Sequence, residues 1–212
     1  MSTLVLGYAG PLRALLTVLG GGEWDDLSGA SLVPLAAIQQ GGPAAWQALY
    51  LETRDALYRY TMGRLGNAED AEDVVGEVFE RALASVARSR DVGLPARAWL
   101  FGIARNLVNG RRRAFYRRPP HLPLELFDGS SGDPRLEPDL LDLVRAIALL
   151  PAGHSEVIVL RFFHGLTLAE TANILGTSTG SIKSRQFRAT TALRKLLDGN
   201  GATTPSTATV TG

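Results

Sequence analysis

Residues 165–195, GLTLAETANILGTSTGSIKSRQFRATTALRK, decide how this chain is read. The stretch predicts two helices joined by a tight turn. Thr167 suits an N-cap, and Glu170 stands three residues on, where a capping box closes. Leu168, Ala172 and Leu175 recur at helical spacing. Gly176 ends that helix at a position where a left-handed backbone is cheap only for glycine. Ser178 then caps a second helix that is expected to bury Ile182, Ala189, Leu193 and Leu196. Its other face carries Ser181, Lys183, Ser184, Arg185, Arg188 and Arg194, with no acid among them. Ala172 is small, as a close helix crossing requires. This is the helix-turn-helix pattern, whose second helix enters the major groove of duplex DNA. Its candidate contacts are Ser178, Thr179, Ser181, Lys183, Ser184, Arg185 and Arg188. An ordinary helical hairpin with a solvated basic face would satisfy the apolar spacing alone. The caps, the turn and the acid-free face together favour DNA.

Working outward, 212 residues with 45% apolar and 20% charged side chains suit one or two soluble domains. The chain has no cysteine, which excludes disulfides, zinc–thiolate sites and thiol catalysis and suits a reducing cytoplasm. His121, His154 and His164 lack ligand spacing, so no metal or cofactor is expected. The net charge of +1 hides an asymmetry. Residues 31–118 hold 13 Arg against 9 acids, and residues 139–198 hold 7 bases against 5 acids. Residues 119–138 between them net −3, so two basic blocks flank an acidic spacer. Residues 3–19 are apolar but broken by Gly7, Gly10, Pro11 and Arg13, and they lack a basic n-region. Neither membrane insertion nor a secretory signal is expected, and a cytoplasmic protein is.

From Ser31 the periodicity is helical. Residues 32–40 form a short helix ended by Gly41 and Gly42. Pro43 opens a longer one with Trp46, Leu49, Tyr50, Leu57, Tyr60 and Leu65 as its buried stripe. Asn67 caps the next, residues 68–87, whose first half holds Glu69, Asp70, Glu72, Asp73, Glu77 and Glu80 and no base. Six acids in twelve residues exceed what the helix dipole uses. Residues 88–94 form a polar loop with Arg88 and Arg90. Pro95 starts a helix with Trp99, Ile103 and Leu107 inward; residues 97–118 carry seven arginines and no acid. Phe101, Phe115 and Tyr116 lie among them. Arginine interleaved with aromatics suits a single-stranded nucleic acid, supplying charge for phosphates and rings for stacked bases. The alternative puts Trp99 and Phe101 in the core and the arginines on a solvated helix end. Residues 119–138 hold five prolines and form a linker. Helices are expected over 139–149 and 154–164, and residues 199–212 are expected to be disordered. The expected fold is all-α: two small helical domains, 31–118 and 139–198, joined by a flexible linker over 119–138, after an N-terminal extension over 1–30.

Taken in order, AEDAEDVVGEVFERAL (68–83), AWLFGIARNLVNGRRR (98–113) and the segment 150–197 resemble the extracytoplasmic-function (ECF) type of bacterial RNA polymerase sigma factor. The resemblance covers residues 31–197. It implies that Asp70, Glu72, Asp73, Glu77 and Glu80 dock on the clamp helices of core RNA polymerase. It implies that Arg88, Arg90, Trp99, Arg105, Asn106, Asn109, Arg112 and Arg113 read and melt the minus-ten promoter element. The helix-turn-helix would read the minus-thirty-five element as duplex, and an anti-sigma factor would hold the protein in check. This sequence departs from the family at Gly76, usually Gln, at Asn109-Gly110, often an Asp-His pair, and at Gln186, where an apolar residue is expected. The rival is a helix-turn-helix regulator that never binds polymerase; the acidic helix and the second basic domain argue against it. No nucleophile–base pair or glycine-rich phosphate loop suggests an enzyme.

Overall fold

A computed structural model describes residues 33–88, 95–115 and 136–201. The expectations for residues 1–32, for Arg90 in the 89–94 loop, for residues 116–135 of the linker and for 202–212 lie outside the described residues.

The first unit begins with α1 (Leu35–Gln39), which Gly41 ends at φ 78°. Pro43 at the first turn starts α2 (Pro43–Leu65), and Gly66 closes it at φ 72°. The Asn67 side chain accepts the Asp70 N–H at 3.1 Å and so caps α3 (Ala68–Ser85), which passes into a 3-10 turn, Val86–Arg88. α4 (Ala96–Phe115) follows as one 20-residue helix. An isolated bridge between Pro34 and Pro95 ties the entries of α1 and α4, and the Ala96 N–H donates to the Val33 carbonyl. Leu49, Leu57, Tyr60, Val74, Val78, Leu100, Phe101 and Val108 fill the space between α2, α3 and α4. Two expectations change here. Tyr50 is 43% exposed, its ring resting at the rim against Phe79 at 5.0 Å. Phe101 is fully buried, 5.5 Å from Tyr60 and 5.0 Å from His164, so it stacks on no nucleic acid.

The second unit holds α5 (Leu136–Leu149), α6 (Ala152–Ile158), α7 (Leu168–Leu175) and α8 (Thr179–Gly201). α5 starts inside the segment assigned to the linker, and α8 runs past residue 198. The expected single helix over 154–164 is α6 followed by a π-helical turn, Val159–Phe163, all five of whose residues are buried. Leu143, Ile147, Ile158, Phe162, Ala189 and Leu193 form this unit's core. Leu196 is 37% exposed, because Leu197, one turn beyond Leu193, packs on that core in its place.

The units are not separate beads. Val159, Leu160, Leu166 and Ile174 of the second belong to the same apolar cluster as α2, α3 and α4 of the first. Among the described residues the chain is all-helical apart from that isolated bridge.

Candidate nucleic-acid interface

Local chemistry builds the helix-turn-helix as its sequence requires. Thr167 accepts the Glu170 N–H at 3.1 Å, and Glu170 accepts the Thr167 N–H at 2.7 Å, which completes the capping box. Gly176 turns the chain at φ 62°. Ser178 Oγ accepts the Ser181 N–H at 3.2 Å and starts α8. Val157, Ala172 and Ile182 form a small cluster of their own where α6, α7 and α8 meet. This fixes which side of α8 faces outward. Thr179, Lys183, Ser184 and Arg188 are exposed there, while Ser181 and Arg185 are half-buried.

Gln186 now has a reason. Arg161, in the π turn, is 4% exposed, and its Nε donates to Gln186 Oε1 at 3.1 Å. Another of its nitrogens donates to the Leu166 carbonyl. An apolar residue at 186 would remove an acceptor from a buried guanidinium, a costly loss. Phe187 was missed by the sequence reading. It is 72% exposed on the same outward face as Lys183 and Ser184, one turn earlier. Its position at i+3 from Ser184 was the available signal.

The arginine-rich helix divides differently. Asn106 and Arg113 of α4 are exposed, as is Arg88 at the end of the 3-10 turn, where it donates to the Ala84 carbonyl. Trp99 is half-buried against the core, so packing takes much of a side chain expected to touch DNA. Arg105 donates Nε to Glu156 of α6 at 3.1 Å. Asn109 and Arg112 line a cavity of about 120 Å³ between the two units, with Arg64, Ser155 and Glu156. Burial, then the nearby Arg64 guanidinium, lowers the Arg112 pKa.

The acidic face of α3 is also less free than its sequence implies. Arg111 of α4 reaches Asp70 at 3.2 Å, Asp73 at 3.7 Å and Glu77 at 3.7 Å. Arg81 takes Glu77 at 2.6 Å. Glu69, Glu72 and Glu80 point to solvent. Exposed apolar side chains on these helices are Tyr50 and Leu51 of α2, at 43% and 71% exposure, and Leu83 of α3 at 59%; the Tyr50 ring rests on Phe79 of α3.

His164 sits at the junction of the units, fully enclosed by Tyr60 and Phe101. Burial first, then Arg97, Arg59 and Arg64, hold its pKa well below 6.5. It is a neutral core ring. No group of His, Asp and Glu among the described residues is arranged to hold a metal ion. No described helix is long and apolar enough to cross a membrane.

A helix-turn-helix with a basic outward helix thus follows a helical unit that carries an acidic face and an arginine-rich helix. The description "Sigma-70 region 2" matches residues 49–117, and "Sigma-70, region 4" matches residues 146–195. The chain is 35% identical over 179 residues to the ECF RNA polymerase sigma factor BldN of Streptomyces coelicolor, covering 81% of this chain and 68% of that protein. It is 36% identical over 168 residues to the ECF RNA polymerase sigma factor SigL of Mycobacterium tuberculosis, covering 76% of this chain and 93% of that one. Among solved structures it is similar to CnrH in complex with the cytosolic domain of CnrY, with a TM-score of 0.56, 26% identity and coverage of 78% and 96%. It is likewise similar to the sigma factor RpoE in complex with the anti-sigma factor NepR from Bartonella quintana, with a TM-score of 0.56, 27% identity and coverage of 72% and 96%. The chain belongs to the ECF RNA polymerase sigma factors. It binds core polymerase and directs it to specific promoters, and the free-standing regulator is not favoured.

Proposed function

We propose a division of labour within that activity. Residues 31–118 act as region 2: they dock on core polymerase and read and open the minus-ten element. Residues 139–198 act as region 4 and read the minus-thirty-five element as duplex. The observation that carries the second half is the acid-free outward face of α8 around Lys183, Ser184 and Arg188, set by the Val157–Ala172–Ile182 contact. Arg185, Ser178, Thr179 and Ser181 complete that surface. Docking uses Glu72 and Glu80 together with the apolar rim of Tyr50 and Leu83, since a charged ring around apolar anchors gives both steering and affinity. Asp70, Asp73 and Glu77 serve it while tied to Arg111. The melted strand is held by Asn106, Asn109, Arg105, Arg112 and Arg113 of α4, with Arg88 and, outside the described residues, Arg90. The protein is not itself an enzyme: binding energy to the opened strand drives melting, and bond formation belongs to the polymerase. It works in the cytoplasm without a cofactor. The anti-sigma factor NepR in complex with RpoE supports an anti-sigma factor for this chain as well.

The test is run-off transcription with core polymerase on a genomic promoter library, with permanganate reactivity of promoter thymines as the readout of opening. Wild type opens a defined set of promoters. Asn106→Ala with Asn109→Ala leaves closed-complex binding near wild type and slows opening. A wild-type protein that opens no promoter with core polymerase would end the reading.

A further inference from the structure

The inner side of α8 is held by apolar contacts and by one directional one. Ile182, Ala189 and Leu193 are buried there. Gln186 lies between them at helical spacing, one turn after Ile182. Its Oε1 accepts Arg161 Nε at 3.1 Å. Arg161 is itself 4% exposed and sits in the π-helical turn, Val159–Phe163, that leads into the helix-turn-helix. Another of its nitrogens donates to the carbonyl of Leu166, the residue just before the Thr167 cap of α7. One guanidinium therefore ties the entry of the motif's first helix to the body of its second. The backbone of α8 is altered at the same level. Thr190 Oγ1 donates to the carbonyls of Gln186 and Phe187, both at 3.0 Å, and Thr191 Oγ1 donates to the Phe187 carbonyl at 2.8 Å. Hydroxyl back-bonding of this kind weakens a helix and often bends it. The orientation of residues 179–188 is thus not dictated by the rest of α8.

Apolar packing is non-directional, and the single methyl of Ala189 is a weak stop against rotation about the helix axis. A hydrogen bond from a buried, planar guanidinium fixes direction as well as distance. A rotation of about 20° moves an outward tip by about 2 Å, given a helix radius of about 5–6 Å with side chains. That is enough to break a base-edge hydrogen bond. We propose that Gln186 is a positioning residue for the reading of duplex DNA: through Arg161 it sets the rotation of α8 against α7, and so which base edges Ser184, Arg185, Phe187 and Arg188 meet. The inference rests on α8 being the helix that reads the minus-thirty-five duplex. Gln186 faces inward and acts through these neighbours. Its effect falls on discrimination among sequences, because attraction to phosphate survives a small displacement and a base-edge hydrogen bond does not.

The test compares full-length variants bound to core polymerase on promoters that run-off transcription selects, each duplex carrying a single base-pair change in its minus-thirty-five element. The readout is the ratio of affinities for the parent and the changed duplex, measured by competition. A variant that only lowers the folded fraction weakens every duplex by the same factor and leaves this ratio alone. Gln186→Leu fills the space without an acceptor. Its ratio should fall about tenfold at one base pair, as for the loss of one base-edge contact, with the salt slope unchanged. Gln186→Glu keeps an oxygen for Arg161 Nε and should retain the wild-type ratio. If Gln186→Leu fails to fold because a buried guanidinium has lost its acceptor, Arg161→Met with Gln186→Leu removes donor and acceptor together and should show the same fall. Wild-type ratios in a folded Gln186→Leu or in the double variant would overturn the positioning role, as would an equal fall in Gln186→Glu. A wild-type protein without preference among the duplexes would end the reading of α8 itself, and the inference with it.

Discussion

At the scale of single residues, the buried and the outward side chains make opposite kinds of prediction. His164 is enclosed and kept neutral, and its Nδ1 has no hydrogen-bond partner among the described residues. The unfolded chain protonates this ring near pH 6.5 while the folded one resists. Its contribution to stability is therefore full above about pH 6.5 and is lost as the pH falls below it, by up to about 1.4 kcal/mol per pH unit. His164→Phe retains a ring against Tyr60 and Phe101 and should flatten the fall in melting temperature between about pH 7 and 5. Parallel curves for the two proteins would assign the acid sensitivity elsewhere. On the outward face, Arg188→Ala should cost about 1–3 kcal/mol at one base pair if it reads a base edge. If it meets phosphate, all sequences should weaken alike and the salt slope should fall by about one unit. If Phe187 meets a thymine methyl, Phe187→Ala should relax preference at a single position while leaving the salt slope unchanged. Competition binding to a set of minus-thirty-five duplexes at two salt concentrations reads both.

At the scale of the element, α3 separates docking from folding. Its acids divide into an inner set that Arg111 reaches, Asp70, Asp73 (itself largely exposed) and Glu77, and an outer set, Glu69, Glu72 and Glu80, exposed to water. Reversing the inner set removes carboxylates from Arg111 and disturbs the α3–α4 contact, so any loss of polymerase affinity would mix two causes. Glu72→Lys with Glu80→Lys changes only the outward field. It should weaken core-polymerase binding, most strongly at low salt, with the melting temperature unchanged. Unaltered affinity would leave docking to the apolar rim alone. Gly76 lies mid-helix with open space where a side chain would begin. Gly76→Ala should therefore stabilise the protein by about 1 kcal/mol, seen as a higher melting temperature, with docking intact.

At the scale of the molecule, the shared apolar cluster couples the two units. Wild type should melt in one calorimetric transition. Leu166→Ala, at a side chain 1% exposed within that cluster, should cost about 2–4 kcal/mol and resolve two transitions. The helices themselves were legible without any structure. The Asn67 and Thr167 caps, Pro43 at a helix start, Gly66 and Gly176 at helix ends and the 3.6-residue apolar stripes act within a few residues of one another, so their physics is written in order along the chain. The outward residues of α8 were legible for the same reason. What the periodicity could not say is which partner lies across each face. Phe101 and Trp99 look alike as aromatics among arginines, yet one is fully enclosed and the other half-exposed. Arg105 and Asn106 are sequence neighbours, but only Arg105 meets Glu156, which lies 51 residues away along the chain. Gln186 looked like a flaw until Arg161 was found against it, and the acids of α3 looked free until Arg111 was. Local sequence determined most of the elements, the ends that caps and glycines mark, and the outward face of α8 proposed to read duplex DNA. Tertiary structure alone decided which charges remain available to a partner, because a charge's field and its desolvation depend on what folding brings within a few ångströms, and no spacing along the chain encodes that distance.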